Sequence, residues 1–113
     1  METLNARIIG TRLGLHGDIL TFNIDLDIQG GFGCSLGGYA MAMFKGDNIE
    51  ERPKSTSMIM RILDVVGVDS WEELKGQYVR VNAKHLDDKV TAIGNIMDDE
   101  WIDFDTFGKE DNM

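Results

Sequence analysis

The chain has 113 residues, of which 42% are hydrophobic, enough for one domain with a genuine core and too few for two large ones. Twenty acidic against eleven basic residues leave a net charge of −9, which disfavours direct binding to DNA, RNA or an anionic membrane because like charges repel. The single cysteine, Cys34, excludes an intramolecular disulfide and a cysteine-built zinc site. The N-terminus does not read as a secretory leader and no run reaches membrane-spanning length, so the expected location is the cytoplasm.

Residues 4–15 include the β-prone run Ile8-Ile9-Gly10-Thr11 and close on a turn at Leu15-His16-Gly17-Asp18, although neither alternation is cleanly polar. The next segment is regular. Leu20, Phe22, Ile24, Leu26 and Ile28 alternate with Thr21, Asn23, Asp25 and Asp27, the period of a half-buried strand. Gln29-Gly30-Gly31 supplies a turn, and residues 32–44 return as a third antiparallel strand carrying Gly33, Gly37 and Gly38. A three-stranded meander results, and its apolar face needs a cover.

Residues 45–54 are polar, hold the only proline and read as an exposed connection. Ser55, Thr56 or Ser57 then caps a helix in which Ile59, Ile62, Leu63 and Val66 recur at helical spacing, with Gly67 as the stop. Each of those side chains, once buried, contributes roughly 1.5–3 kcal/mol. Ser70 and Glu73 have capping-box spacing and Gly76 follows, predicting a helix of one or two turns that docks through Trp71 and Leu74. Residues 77–83 and 89–97 alternate again and predict a second hairpin turning at 85–88. Residues 101–105 form a short edge strand or an extended segment across the body. The expected fold is therefore α+β over residues 1–113 as a single domain, with an antiparallel sheet of five to six strands against one main helix and a short helical turn.

Charge is concentrated at one end. Residues 96–113 hold seven acidic side chains, Asp98, Asp99, Glu100, Asp103, Asp105, Glu110 and Asp111, against one base, Lys109, so this segment carries −6. Tyr39, Met41 and Met43 share one alternation of the third strand, opposite Cys34, Ala40 and Phe44. Two apolar faces require two covers. One is either another molecule, including a second copy in a homodimer, or the segment bearing Trp101 and Phe104.

The order of motifs resembles a family of small phage and prophage accessory proteins. It rests on Ala-Arg-Ile-Ile-Gly-Thr at 6–11, Gly-Phe-Gly-Cys-Ser-Leu-Gly-Gly-Tyr-Ala at 31–40, the run at 62–81 from Ile62 to Val81, Ala92-Ile93-Gly94-Asn95-Ile96 and Trp101-Ile102-Asp103-Phe104. The resemblance spans most of the chain and implies a phage-type accessory protein. By analogy, small acidic proteins of that kind act as inhibitors of host defence, anti-CRISPR proteins among them.

The residues themselves show no catalytic signature. Residues 30–38 lack Gly-Lys-Ser/Thr and G-x-G-x-x-G and do not open a helix, so their glycines mark bulges or close approach rather than a phosphate loop. Cys34 has only His16 and His85 as candidate bases, both in predicted turns, and reads as a small buried hydrophobe. Residues 103–108 begin like a calcium loop, but Phe107 stands at a ligand position. The leading expectation is a non-enzymatic inhibitor, without metal or cofactor, that seats carboxylates in the basic nucleic-acid groove of a host defence protein such as a CRISPR nuclease. The contacting residues would be Asp98, Asp99, Glu100, Asp103 and Asp105, with Asp25 and Asp27 in support. Two other classes stay open: a module sequestering a small nucleotide through the glycine-rich strand, Arg7, Arg12 or Arg80, and a small metal-dependent enzyme built on clustered carboxylates.

Overall fold

A computed structural model of the chain describes residues 3–82 and 90–107. The first two strands, β1 (Leu4–His16) and β2 (Ile19–Ile28), form a long antiparallel hairpin through Gly17, whose φ of 63° suits glycine. Along β2 the alternation holds: Phe22, Ile24, Leu26 and Ile28 are buried, while Asp25 and Asp27 are exposed. The muddled pattern of β1 has a physical cause. Pairing passes from Ile8↔Leu26 to Gly10↔Asp25, so Ile9 is an extra residue in a bulge. The side chains beyond it change sides.

The predicted third strand is two strands on one edge of β2. β3 (Phe32–Gly37) pairs with residues 23–28, and β4 (Ala42–Lys45) pairs with Ile19 and Leu20. Between them Gly37 and Gly38 adopt φ of 128° and 84°. Gly38 N–H still donates to Phe22 O (2.7 Å), and Met41 N–H to Leu20 O (2.9 Å), so the break keeps its backbone hydrogen bonds while Tyr39 turns toward the core. There Tyr39 stacks on Phe104 at 5.8 Å between ring centroids and meets Phe22 at 6.0 Å. The cover for this part of the chain is therefore intramolecular, supplied by the segment that carries Phe104.

Residues 45–54 are not a plain connection. β4 folds back on β5 (Asn48–Glu51) around Gly46, and no period-two signal announces β5 because all four of its residues are exposed. Helix α1 (Ser55–Val66) follows, but none of the predicted serine or threonine caps operates. Lys54 occupies the N-cap in a left-handed conformation (φ 68°), and Ser55 Oγ instead donates to Met41 O at 3.1 Å, tying the helix start to the sheet. Ile62, Val65 and Val66 are buried with Met58, Ile59 and Leu63 partly so, and Gly67 ends the helix by donating to Leu63 O. Val65 is the core contact that the sequence pattern omitted.

The expected short helical turn is Trp71–Glu73, a single turn of 3₁₀ type. Ser70 Oγ bonds the Glu73 carboxylate at 3.0 Å, so the side chains do not reach the backbone amides that a capping box would satisfy. Leu74 is fully buried and Trp71 meets Phe22 edge-on at 5.7 Å, as docking required. β6 (Tyr78–Val81) and β7 (Ala92–Asn95) pair antiparallel, and β8 (Trp101–Asp103) is an edge strand on β7; the predicted turn at 85–88 lies outside the described residues.

The sheet thus has eight strands, not five or six, in the order β5-β4-β2-β1-β6-β7-β8 with β3 beside β4 on β2. It curls into a half-barrel that closes on α1, the 3₁₀ turn and the Phe104 segment. Phe104 beyond β8 lies 6.0 Å from Phe22 on β2, four strands away in the sheet. The α+β class stands.

Candidate functional site

Asp98, Asp99 and Glu100 sit on the turn between β7 and β8, and Asn95 builds that turn. Its Oδ1 accepts from Met97 N–H and Asp98 N–H, both at 2.8 Å, and its Nδ2 donates to Val65 O of α1 at 2.9 Å. Arg80 braces the same turn from β6, donating through Nε to Asn95 O and through a terminal nitrogen to Asp98 O, each at 2.7 Å. The guanidinium also lies 5.1 Å from the centre of the Trp101 ring, a cation–π distance. Trp101 in turn covers Gly94, where any Cβ would stand 2.6 Å from the indole. The motif residues Gly94, Asn95 and Trp101 are therefore one mechanical unit.

This unit holds Asp98, Asp99 and Glu100 at the surface with Met97, 87% exposed, at its tip. Asp99 accepts from Trp101 Nε1 at 3.2 Å. The side chains of Asp98 and Glu100 make no hydrogen bond or ion pair among the described residues, where the ion pair within bonding distance is Arg61–Asp64 on α1. Asp103 is different. Its Oδ1 accepts from Asp105 N–H at 2.9 Å and it is half-buried, so it shapes the chain reversal after β8 more than it faces outward. Asp105 is exposed.

Asp25 and Asp27 do not join the β7–β8 turn, because β1 and β6 lie between β2 and β7. Asp25 accepts from Ser35 Oγ at 2.9 Å, and Ser35 lines a groove of about 430 Å³ together with Asp105, Cys34, Gly37, Tyr39 and Val90. Asp27 stands farther along β2, opposite Arg7 and Gly33. Five of the seven predicted contact residues therefore fall in two places, Asp98, Asp99 and Glu100 on the β7–β8 turn and Asp105 and Asp25 at the groove, whereas Asp103 and Asp27 join neither.

The remaining candidates have structural explanations. At Gly37 a Cβ would collide with the Phe22 carbonyl, so the glycine permits close approach of β3 to β2. Cys34 is half-buried, and burial, then the Asp25 carboxylate, pushes its thiol above the ordinary value of 9.0, the reverse of nucleophile activation. Cys34 faces Leu26 and His16 faces Ile19, seven residues apart along β2 or roughly 23 Å, and His85 lies outside the described residues. Burial, then Asp105 and Asp103, likewise raises the Tyr39 phenol above 10.0. Among the described residues no three His, Cys, Asp or Glu side chains converge to hold a metal ion. Arg12 donates to Leu15 O and Arg80 is committed to the acidic turn, so these two arginines do not converge on the glycine-rich strand. No helix among the described residues is long and apolar enough to cross a membrane.

Asn95 and Met97 lie outside the predicted contact residues, and Arg80, expected only as a nucleotide contact, braces the turn instead. An Asn two and three residues before the amides it caps is a readable Asx signal, whereas the reach of Arg80 from β6 is not. No family model, curated protein or solved structure matches this chain.

Proposed function

We propose that this protein is a non-enzymatic inhibitor that seats the carboxylates of its β7–β8 turn in a basic, nucleic-acid-binding groove of a host defence protein in the host cytoplasm. The phage-family resemblance points to a CRISPR nuclease as the target. The observation that carries the reading is the state of the turn: Asp98 and Glu100 are exposed and without ionic partners among the described residues, on a backbone held by Asn95 and Arg80. Exposed carboxylates held in place before contact exchange water for Lys and Arg at a lower ordering cost than a flexible tail would. Asp105 and Asp25 extend the acidic field around the groove rim, while Asp103 supports the backbone.

The test is inhibition of target cleavage by the purified host CRISPR nuclease, together with direct binding at low and high salt. Wild-type protein is expected to block cleavage and compete with DNA, with affinity falling as salt shortens the Debye length below roughly 8–10 Å. The Asp98→Asn/Asp99→Asn/Glu100→Gln/Asp105→Asn variant should lose binding while its melting temperature is retained. Undiminished binding by that variant, or no inhibition by the wild type, overturns the reading.

A further inference from the structure

The core face of the sheet continues past its cover at the far end of the β1–β2 hairpin. Register places Leu15, Leu20, Ala42, Phe44 and Ile49 on that one face. Leu15 is 49%, Phe44 44% and Ile49 64% exposed, and with Leu20, Ala42 and Met43 they line an apolar hollow of about 90 Å³, the size of one aliphatic side chain. The hollow adjoins β5, which ends the sheet on this side. Arg52 N–H points inward to Met41 O (2.9 Å), and antiparallel hydrogen bonds recur at every second residue, so Glu50 also points inward. Ile49 and Glu51 therefore turn their N–H and C=O groups outward along an edge that no other strand pairs among the described residues.

Charge decides what fits there. A second copy would pair its β5 antiparallel about a two-fold axis perpendicular to the sheet, which keeps core faces together and allows two central registers. Centring on Ile49 sets Asp47 opposite Glu51 twice; centring on Glu50 sets two Glu50 carboxylates face to face. Like charges directly opposite destabilise a strand pair, and the net charge of −9 adds to the repulsion. A foreign strand meets no such conflict when it carries cations opposite Glu51 and Glu50 and an apolar residue opposite Ile49.

We propose that β5 and its hollow form a second docking surface, which takes an extended segment of another protein reading basic-basic-apolar, added antiparallel to β5. Main-chain bonds to Ile49 and Glu51 supply the pairing, and the apolar side chain packs against Ile49 at the rim of the hollow, extending its apolar face. This surface is separate from the β7–β8 turn and does not depend on it.

The probe is a fluorescein-labelled peptide, acetyl-Thr-Lys-Arg-Ile-Thr-Val-Thr-amide, titrated against the full chain by anisotropy. Hydrogen exchange follows the Ile49 and Glu51 amides. Binding should be saturable, protect both amides, and weaken about tenfold or more when Glu-Asp replaces Lys-Arg in the peptide. The exposed-site variant Ile49→Asp should abolish it, and Glu50→Lys/Glu51→Lys should reverse the charge preference. Neutralising the β7–β8 turn should leave it unchanged, which separates this surface from the inhibitor reading. Equal binding of both peptides, binding of neither, or a protein dimer dissociated by Ile49→Asp overturns the proposal.

Discussion

Asn95 joins two parts of the molecule with one side chain: the acidic β7–β8 turn and the C-terminal half of α1. Its partners are main-chain groups, two amides on the exposed turn and the partly buried Val65 carbonyl at the end of α1. Asn95→Ala should therefore cost about 2–4 kcal/mol, from three hydrogen bonds of about 1 kcal/mol each plus desolvation of the groups left behind. Asn95→Asp retains the acceptor for Met97 and Asp98 but loses the donor to Val65 O, so its cost should lie between wild type and alanine. Urea unfolding of the three proteins checks the order, and equal stability of Asn95→Ala and wild type would refute the role assigned to the side chain.

At the scale of elements, the decisive feature is the interruption between β3 and β4. Two glycines in left-handed conformation let the chain leave the edge of β2 and rejoin it, and the displaced residue, Tyr39, closes the half-barrel against Phe104. Gly37→Ala puts a Cβ into the Phe22 carbonyl at φ 128°. The expected loss is roughly 3 kcal/mol or more, strain and steric shift combined. Near-ultraviolet circular dichroism should report the Tyr39–Phe104 stack loosening with it, while Gly38→Ala, where nothing stands within 4 Å, costs backbone strain alone.

For the whole molecule, pH dependence follows from two groups on the closing seam. Cys34 and Tyr39 both have proton affinities raised by partial burial, and next by carboxylates that belong to the acidic rim: Asp25 for Cys34, Asp105 and Asp103 for Tyr39. Because the folded chain holds these protons more tightly than the unfolded chain, the contribution is fully present below the unfolded values of 9.0 and 10.0 and is lost as pH rises through the folded ones. Stability should be insensitive to these two groups below about pH 8 and fall above pH 9. Chemical denaturation across pH 7–11 tests this; Cys34→Ser with Tyr39→Phe should flatten the alkaline limb, and an unchanged slope in that variant would exclude the seam as its source.

Local periodicity determined much of this protein by itself. The alternation of Leu20 to Ile28 set a half-buried strand, glycines marked the hairpin turns and the helix end at Gly67, and Val79, Val81, Trp101 and Phe104 were legible as packing positions, because burial on one face imposes a period the chain must carry. The acidic block was legible as composition. Tertiary structure decided the rest. β5 has no apolar alternation to announce it, being exposed throughout; Lys54 displaced the serines as N-cap because Ser55 was drawn to Met41 O; and the bulge at Ile9 scrambled the faces of β1. The separation of Asp98, Asp99 and Glu100 on the turn from Asp25 and Asp27 on β2 depends on strand order. Strand order arises from pairings between residues distant in the chain, which no local pattern encodes.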